Sequence, residues 1–144
     1  MAQRISAAIC LFVVLLAGCL TQYQPSVPVF LSDSPGYSEK SLGDLVFEVE
    51  VFGKIWTSER RIRDIAMVCA AELSRSLGYA YFLVLSDSST SESTVSLAGS
   101  GFAVYPSTSS RPVYFLIFEC SNNTEDTDVL EILSTLGPDV GYSP

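Results

Sequence analysis

Residues 57–78 read TSERRIRDIAMVCAAELSRSLG, and this stretch decides the fold. Ile62, Ile65, Ala66, Cys69, Leu73 and Leu77 recur at helical spacing, while Arg60, Arg61, Arg63 and Asp64 fall mainly off that stripe. Thr57-Ser58-Glu59 supplies an N-cap and a first-turn acid. Gly78 suits the position just past a helix, where the backbone turns left-handed. The spacing predicts one helix over about 58–77, with Cys69 on its buried stripe as a small hydrophobe.

The flanks predict strands. Leu45, Phe47, Val49 and Val51 share one face and Glu48 and Glu50 the other, a half-buried strand ended by Gly53 and Lys54. Residues 79–85 form a short continuous apolar run, the pattern of a central strand covered on both faces. Strand, helix and strand in succession predict a right-handed crossover with parallel strands. Residues 86–94, rich in Ser and Thr, read as a mobile loop, and 95–105 as a strand interrupted at Gly99 and Gly101. A turn over 106–112 precedes a second strong apolar strand, 113–120, and a loop follows at 121–124. Val129, Ile132, Leu133 and Leu136 then make an amphipathic stripe, with Glu125, Asp126 and Asp128 near its start and Gly137-Pro138 at its end. The tail, 139–144, reads as frayed. No internal repeat is present. The expected fold is α+β: a two-layer sandwich in which a mixed four-stranded sheet carries two helices on one face, in the order β-α-β-β-β-α, within a single domain over 36–144.

The amino terminus reads differently. Residues 1–4 hold Arg4, and 5–16 are uncharged and mostly apolar, the size of a signal-peptide core. Leu16-Ala17-Gly18-Cys19 follows and resembles a bacterial lipobox, the recognition site of the lipoprotein signal peptidase. That resemblance implies cleavage after Gly18, diacylglycerol on the Cys19 thiol and an acyl chain such as palmitate on its new amino group. Each buried acyl CH₂ contributes roughly 0.8 kcal/mol, so chains at one residue anchor a protein to a membrane. Two other readings stand beside it: an ordinary signal peptide with a fortuitous Cys19, and a retained span, for which the run is short against the ~20 residues needed. Under the enteric sorting rule Asp after the Cys retains a lipoprotein at the inner membrane. Leu20 therefore favours the periplasmic leaflet of the outer membrane. Residues 19–35, with Pro25 and Pro28, read as the lipidated Cys and a flexible tether.

Composition bounds the function. Formal net charge is −8, and the first 18 residues hold Arg4 but no acid, so residues 19–144 carry −9. An acidic domain argues against nucleic-acid binding and against adhesion to anionic lipid headgroups, and fits solubility beside a negatively charged membrane. The chain has no His, which removes Ser-His-Asp and Cys-His catalysis and the commonest transition-metal ligand. Cys10 leaves with the signal segment and Cys19 takes lipid. Cys69 and Cys120 remain, either as a disulfide in an oxidising compartment or as buried thiols. Glu39 and Glu72 are candidate acid–base carboxylates, although nothing in the sequence brings them together, and pairing of Glu72 with Arg75 is the simpler reading. Ser38 has no base at hand. Glu125, Asp126 and Asp128 lack the EF-hand pattern and suit a helix N-terminus. Tyr37, Tyr79, Tyr81 and Tyr114 suit a core. No cofactor or metal set is expected.

Tyr23-Gln24-Pro25, Gly36-Tyr37-Ser38-Glu39, Phe52-Gly53 with Thr57, Ala70-Ala71-Glu72-Leu73 and Gly78-Tyr79-Ala80-Tyr81-Phe82, behind a lipobox, resemble a family of small proteobacterial envelope lipoproteins of unknown function. The likeness covers about 23–86. Lys54 stands where the family pattern has Asn, and Cys69 where it has Arg. The resemblance implies a lipid-anchored periplasmic domain and no activity. The expectation is a non-enzymatic envelope lipoprotein held to the membrane by its N-terminal lipid, binding another envelope protein or serving a structural role. Alternatives are a carboxylate hydrolase built on Glu39 and Glu72, or a small-ligand or stress-sensing module with a pocket on the apolar side of its sheet.

Overall fold

The computed structural model describes residues 36–100 and 103–143. Five strands, β1 (Gly36–Gly43), β2 (Val46–Phe52), β3 (Tyr81–Ser100), β4 (Ala103–Ser121) and β5 (Thr127–Asp128), form one sheet in the order β1-β2-β4-β3-β5. Every neighbouring pair is antiparallel. Three helices accompany it, α1 (Glu59–Ser76), α2 (Val129–Thr135) and α3 (Gly137–Val140). The chain is α+β as its sequence predicts, but the sheet is neither mixed nor four-stranded.

Two differences follow from the sheet's topology. β2 and β3 do run the same way on either side of α1, yet β4 lies between them and pairs antiparallel with both. The strand–helix–strand pattern fixes their direction but not which strand fills the gap. β1 is a strand the sequence reading does not include; Tyr37 and Leu42 are its only large apolar residues. It is an edge strand, joined to β2 through Gly43 at φ +126° and Leu45 at φ +69°. Leu45 therefore belongs to the turn and not to the strand face with Phe47. Its carbonyl accepts from the Cys120 N–H at 2.9 Å.

The α1 bounds fall within one residue of the predicted ones. Ser58 Oγ accepts from the Arg61 N–H at 3.3 Å, and Gly78 closes the C-terminus at φ +86°. Ile62, Ile65, Ala66 and Cys69 are buried with Val68, Ala70, Ala71 and Ser74. They pack on one face of the sheet, where the register aligns Phe47, Val49 and Val51 of β2 with Phe118, Leu116 and Tyr114 of β4. Phe118 sits at the centre, with ring centroids 5.8 Å from Phe47 and 5.6 Å from Phe82.

Among the described residues no helix layer covers the other face, contrary to the reading of 79–85. Leu83 and Leu85 are 43% and 48% exposed there or at the bulge beside it. Arg111 instead shields Phe52, its guanidinium 4.9 Å from the ring centroid, and pairs with Glu92 Oε2 at 2.6 Å. The register of β3 shifts between Val84 and Ser86, where Leu85 is left without a cross-strand partner. Beyond this bulge the face of Phe82 and Val84 continues as Asp87 and Ser89.

Residues 86–94 and 106–112, read as a mobile loop and a turn, are β-structure. β2 leaves β4 at Val113 and β5 leaves β3 at Phe82, yet residues 91–100 and 103–112 continue as ten cross-strand pairs. The result is a two-stranded ribbon extending about 33 Å at ~3.3 Å per residue. Pro106 and Pro112 are tolerated because, among the described residues, no third strand pairs with β4 there. Composition alone reads Ser and Thr as loop-formers; only the pairing partner makes them a ladder.

At the carboxyl end Val129 and Leu133 are buried, as the stripe predicts, and Asp128 Oδ1 accepts from the Leu130 and Glu131 N–H groups at 2.8 and 3.1 Å. The helix α2 packs against α1, so the two helices do not share the sheet face as equals. Residues 137–142 are not frayed. Pro138 opens α3, Val140 is fully buried, and Tyr142 packs against Gly137. Replacing Phe118 by Ala should cost about 3–5 kcal/mol. Urea titration should show a lower midpoint with an unchanged slope; a shift below 1 kcal/mol, about one-third of the low estimate, contradicts this packing.

Candidate functional site

The described cleft with the richest chemistry lies where the first turns of α1 face the root of the ribbon. It encloses about 610 Å³. Glu59, Arg60, Arg63 and Asp64 line it from α1, Asp87, Ser88 and Ser89 from β3, and Tyr114 from β4. The local cause is spacing. Arg63 and Asp64 stand three and four residues after Arg60 and so lie on the same side of the helix as it does. The bulge at Leu85 sets the phase that brings Asp87 onto the same side as Tyr114 and Leu116.

The charged groups are mutually engaged. Arg60 Nε stands 3.9 Å from Asp64 Oδ2, with Arg60 largely in solvent, where such a pair contributes little to stability. The Tyr114 hydroxyl donates to Asp87 Oδ2 at 2.5 Å. Burial, then this hydrogen bond and the Asp87 charge, push Tyr114 up to about 12, with Arg63 acting in the opposite direction. Chemically the cleft offers carboxylates, guanidinium groups and hydroxyls within one polar cavity. That lining suits a ligand bearing hydroxyls or charges of both signs.

The carboxylates singled out from sequence lie elsewhere. Glu39, on edge strand β1, pairs with Val49 and so faces the helix side; burial beside that layer raises its carboxyl although the side chain remains accessible. Glu72 sits on α1 one turn beyond Cys69, raised by burial and drawn down by Arg75. Glu39 lies near Cys69, whose thiol is pushed well up by burial and then by Glu39. Tyr37 in the same region is pushed up to about 12, by burial first and then by Cys69 and Glu39. Neither glutamate lines the cleft. Ser38 is exposed on β1, and Asp128 is occupied as the α2 cap.

Cys69 and Cys120 are both free and buried, so the bridge that the sequence allows is not formed in this structure. Cys120 Sγ is instead 3.5 Å from Ser74 Oγ. Among the described residues no three His, Cys, Asp or Glu side chains converge as a metal site, and no helix is long and apolar enough to cross a membrane. Leu16, Ala17, Gly18, Cys19 and the Tyr23-Gln24-Pro25 motif lie outside the described residues.

No family model, curated protein or solved structure matches the chain. The cleft residues were hidden in sequence for two reasons. Asp87, Ser88 and Ser89 read as loop, and Arg60, Arg63 and Asp64 read as a solvated helix face. Only the i, i+3, i+4 clustering of the α1 charges carried a signal.

Two measurements follow. Because the folded Tyr114 holds its proton above the ordinary value of 10.0, the native state binds more protons than the unfolded one between that value and about 12, and its stability contribution is lost as pH rises through this window. Ultraviolet difference titration should place Tyr114 near its raised value, and Asp87→Asn should bring it part of the way back; an unshifted Tyr114 in Asp87→Asn contradicts the hydrogen bond's role. Separately, Cys69 and Cys120 should resist a bulky thiol reagent until denaturant is added. Labelling of either thiol in the native protein at the unfolded rate contradicts their burial.

Proposed function

We propose that this chain is a lipid-anchored protein of the bacterial cell envelope, held through Cys19 at the periplasmic leaflet of the outer membrane, and that its folded domain binds another envelope component without catalysing a reaction. The observation that carries the anchor is Leu16-Ala17-Gly18-Cys19 behind a short apolar run. The resemblance of several following motifs to envelope lipoproteins supports the same reading. Binding is supported by the β3–β4 ribbon. Among the described residues no third strand joins its outer pairs, and the edge of a two-stranded ribbon is a common means of capturing an extended partner segment.

A second reading, capture of a small ligand, is favoured by the cleft of about 610 Å³ at the ribbon's root. Its lining residues carry charges of both signs and hydroxyls, which suits a hydroxyl-bearing or zwitterionic molecule. The hydrolase reading lacks this support, because Glu39 and Glu72 stand apart from the cleft.

Intact-mass measurement of protein extracted from membranes should show loss of residues 1–18 and the added mass of diacylglycerol and an acyl chain at Cys19. Cys19→Ala should accumulate unprocessed or move to the soluble fraction. Normal processing and membrane partition of Cys19→Ala contradict the proposal. Cross-linking from ribbon positions should capture a partner that the ligand-capture reading does not require.

A further inference from the structure

The turn between β2 and α1 carries the most exposed large hydrophobic side chain described in this domain. Trp56 is 72% exposed and Ile55 beside it 56%. Single exposed hydrophobics are ordinary, but these two are adjacent and held out by a built turn. The Thr57 N–H donates to the Lys54 carbonyl at 2.8 Å, and the Lys54 N–H donates to Thr57 Oγ1 at 2.9 Å. Those two bonds close the four residues and leave Ile55 and Trp56 at the tip. Gly53 fixes the root: its N–H donates to the Pro112 carbonyl at 2.9 Å, and a Cβ there would meet Pro112 Cγ at 2.9 Å.

Charge around the turn departs from that of the chain. Residues 53–64 hold Lys54, Arg60, Arg61 and Arg63 against Glu59 and Asp64, a net +2 within a chain of −8. Glu59, Asp64 and Asp87 offset Arg60 and Arg63 in the cleft they line, and charges beyond about 8–10 Å are screened at physiological salt, so the positive charge that a surface meets at this turn is chiefly that of Lys54 and Arg61. Trp with basic neighbours is the composition that settles at the headgroup level of a bilayer.

The turn also lies at the end of the sheet where the described domain begins. Gly36 pairs with Phe52, the residue before Gly53. The sixteen residues 20–35 separate Cys19 from Gly36 and span at most about 55 Å when extended. A domain held that close to a bilayer meets it at high effective concentration, so a small apolar contact suffices to orient it.

We propose that the Ile55-Trp56 turn and its basic flank form a contact for an anionic lipid surface, orienting the domain against the membrane that anchors it. This rests on the anchored reading of Cys19. Trp56 is the only tryptophan, so its fluorescence reports the contact directly. The test uses full-length acylated protein in vesicles of phosphatidylethanolamine and phosphatidylglycerol, with and without brominated acyl chains. Trp56 emission should move to shorter wavelength and be quenched by the brominated lipid. Quenching should fall in phosphatidylcholine vesicles and in Lys54→Glu/Arg60→Glu, while flotation with vesicles and circular dichroism stay unchanged. Solvent-like emission without lipid quenching, from protein that floats, overturns the contact and leaves the anchor intact. Protection of Trp56 from acrylamide only with other envelope proteins present, or only at high protein concentration, also overturns it, in favour of a partner protein or a second copy. If the protein carries no acyl mass, the anchored reading fails, and quenching on mixing with the same vesicles still decides the lipid contact.

Discussion

The structure depends on one packing contact, the buried stripe of α1 against β4 and its neighbours β2 and β3. Phe118, at the centre of β4, touches both Phe47 and Phe82, so the strand on each side is tied to the same side chain. Removing the helix would expose Val49, Val51, Leu116 and Phe118 together. The burial of a large apolar side chain contributes roughly 1.5–3 kcal/mol, which places most of the stability of a domain this size in that layer. The second face of the sheet contributes less, through Val113 beneath the Phe52 and Arg111 pair.

How much of this was legible in the sequence depends on how local the cause was. The helix was readable because a 3.6-residue stripe, an N-cap and a terminal glycine agree over 58–78. Its C-terminal counterpart over 129–136 was readable for the same reason. β1 and the ribbon were not. Both are strands whose side chains are mostly polar, so neither shows an apolar alternation; what makes them strands is the partner in their own hairpin, β2 for β1 and for each ribbon strand the other. The insertion of β4 between β2 and β3 is instead a non-local choice that no window of residues contains.

The cleft shows the same division. Arg60, Arg63 and Asp64 were visible as charges on one helix face, but their opposite wall was not. It requires β3 to slip by one residue at Leu85, and a bulge leaves little trace in an apolar run. Glu39 and Glu72 were conspicuous as acids near apolar runs. Burial raises both carboxyls, and neither lines the cavity.

The ribbon is continuous with the central strands, and this has a mechanical consequence. β4 passes from the ribbon into the sheet without a break, between β2 and β3. Traction along its far end therefore reaches the middle of the domain without crossing a hinge. There β3 is drawn along with its ribbon partner, and the load falls on the β2–β4 hydrogen bonds side by side, in shear, and not one after another as in peeling. The arm is coupled stiffly to the body, and whatever grips it also grips the core.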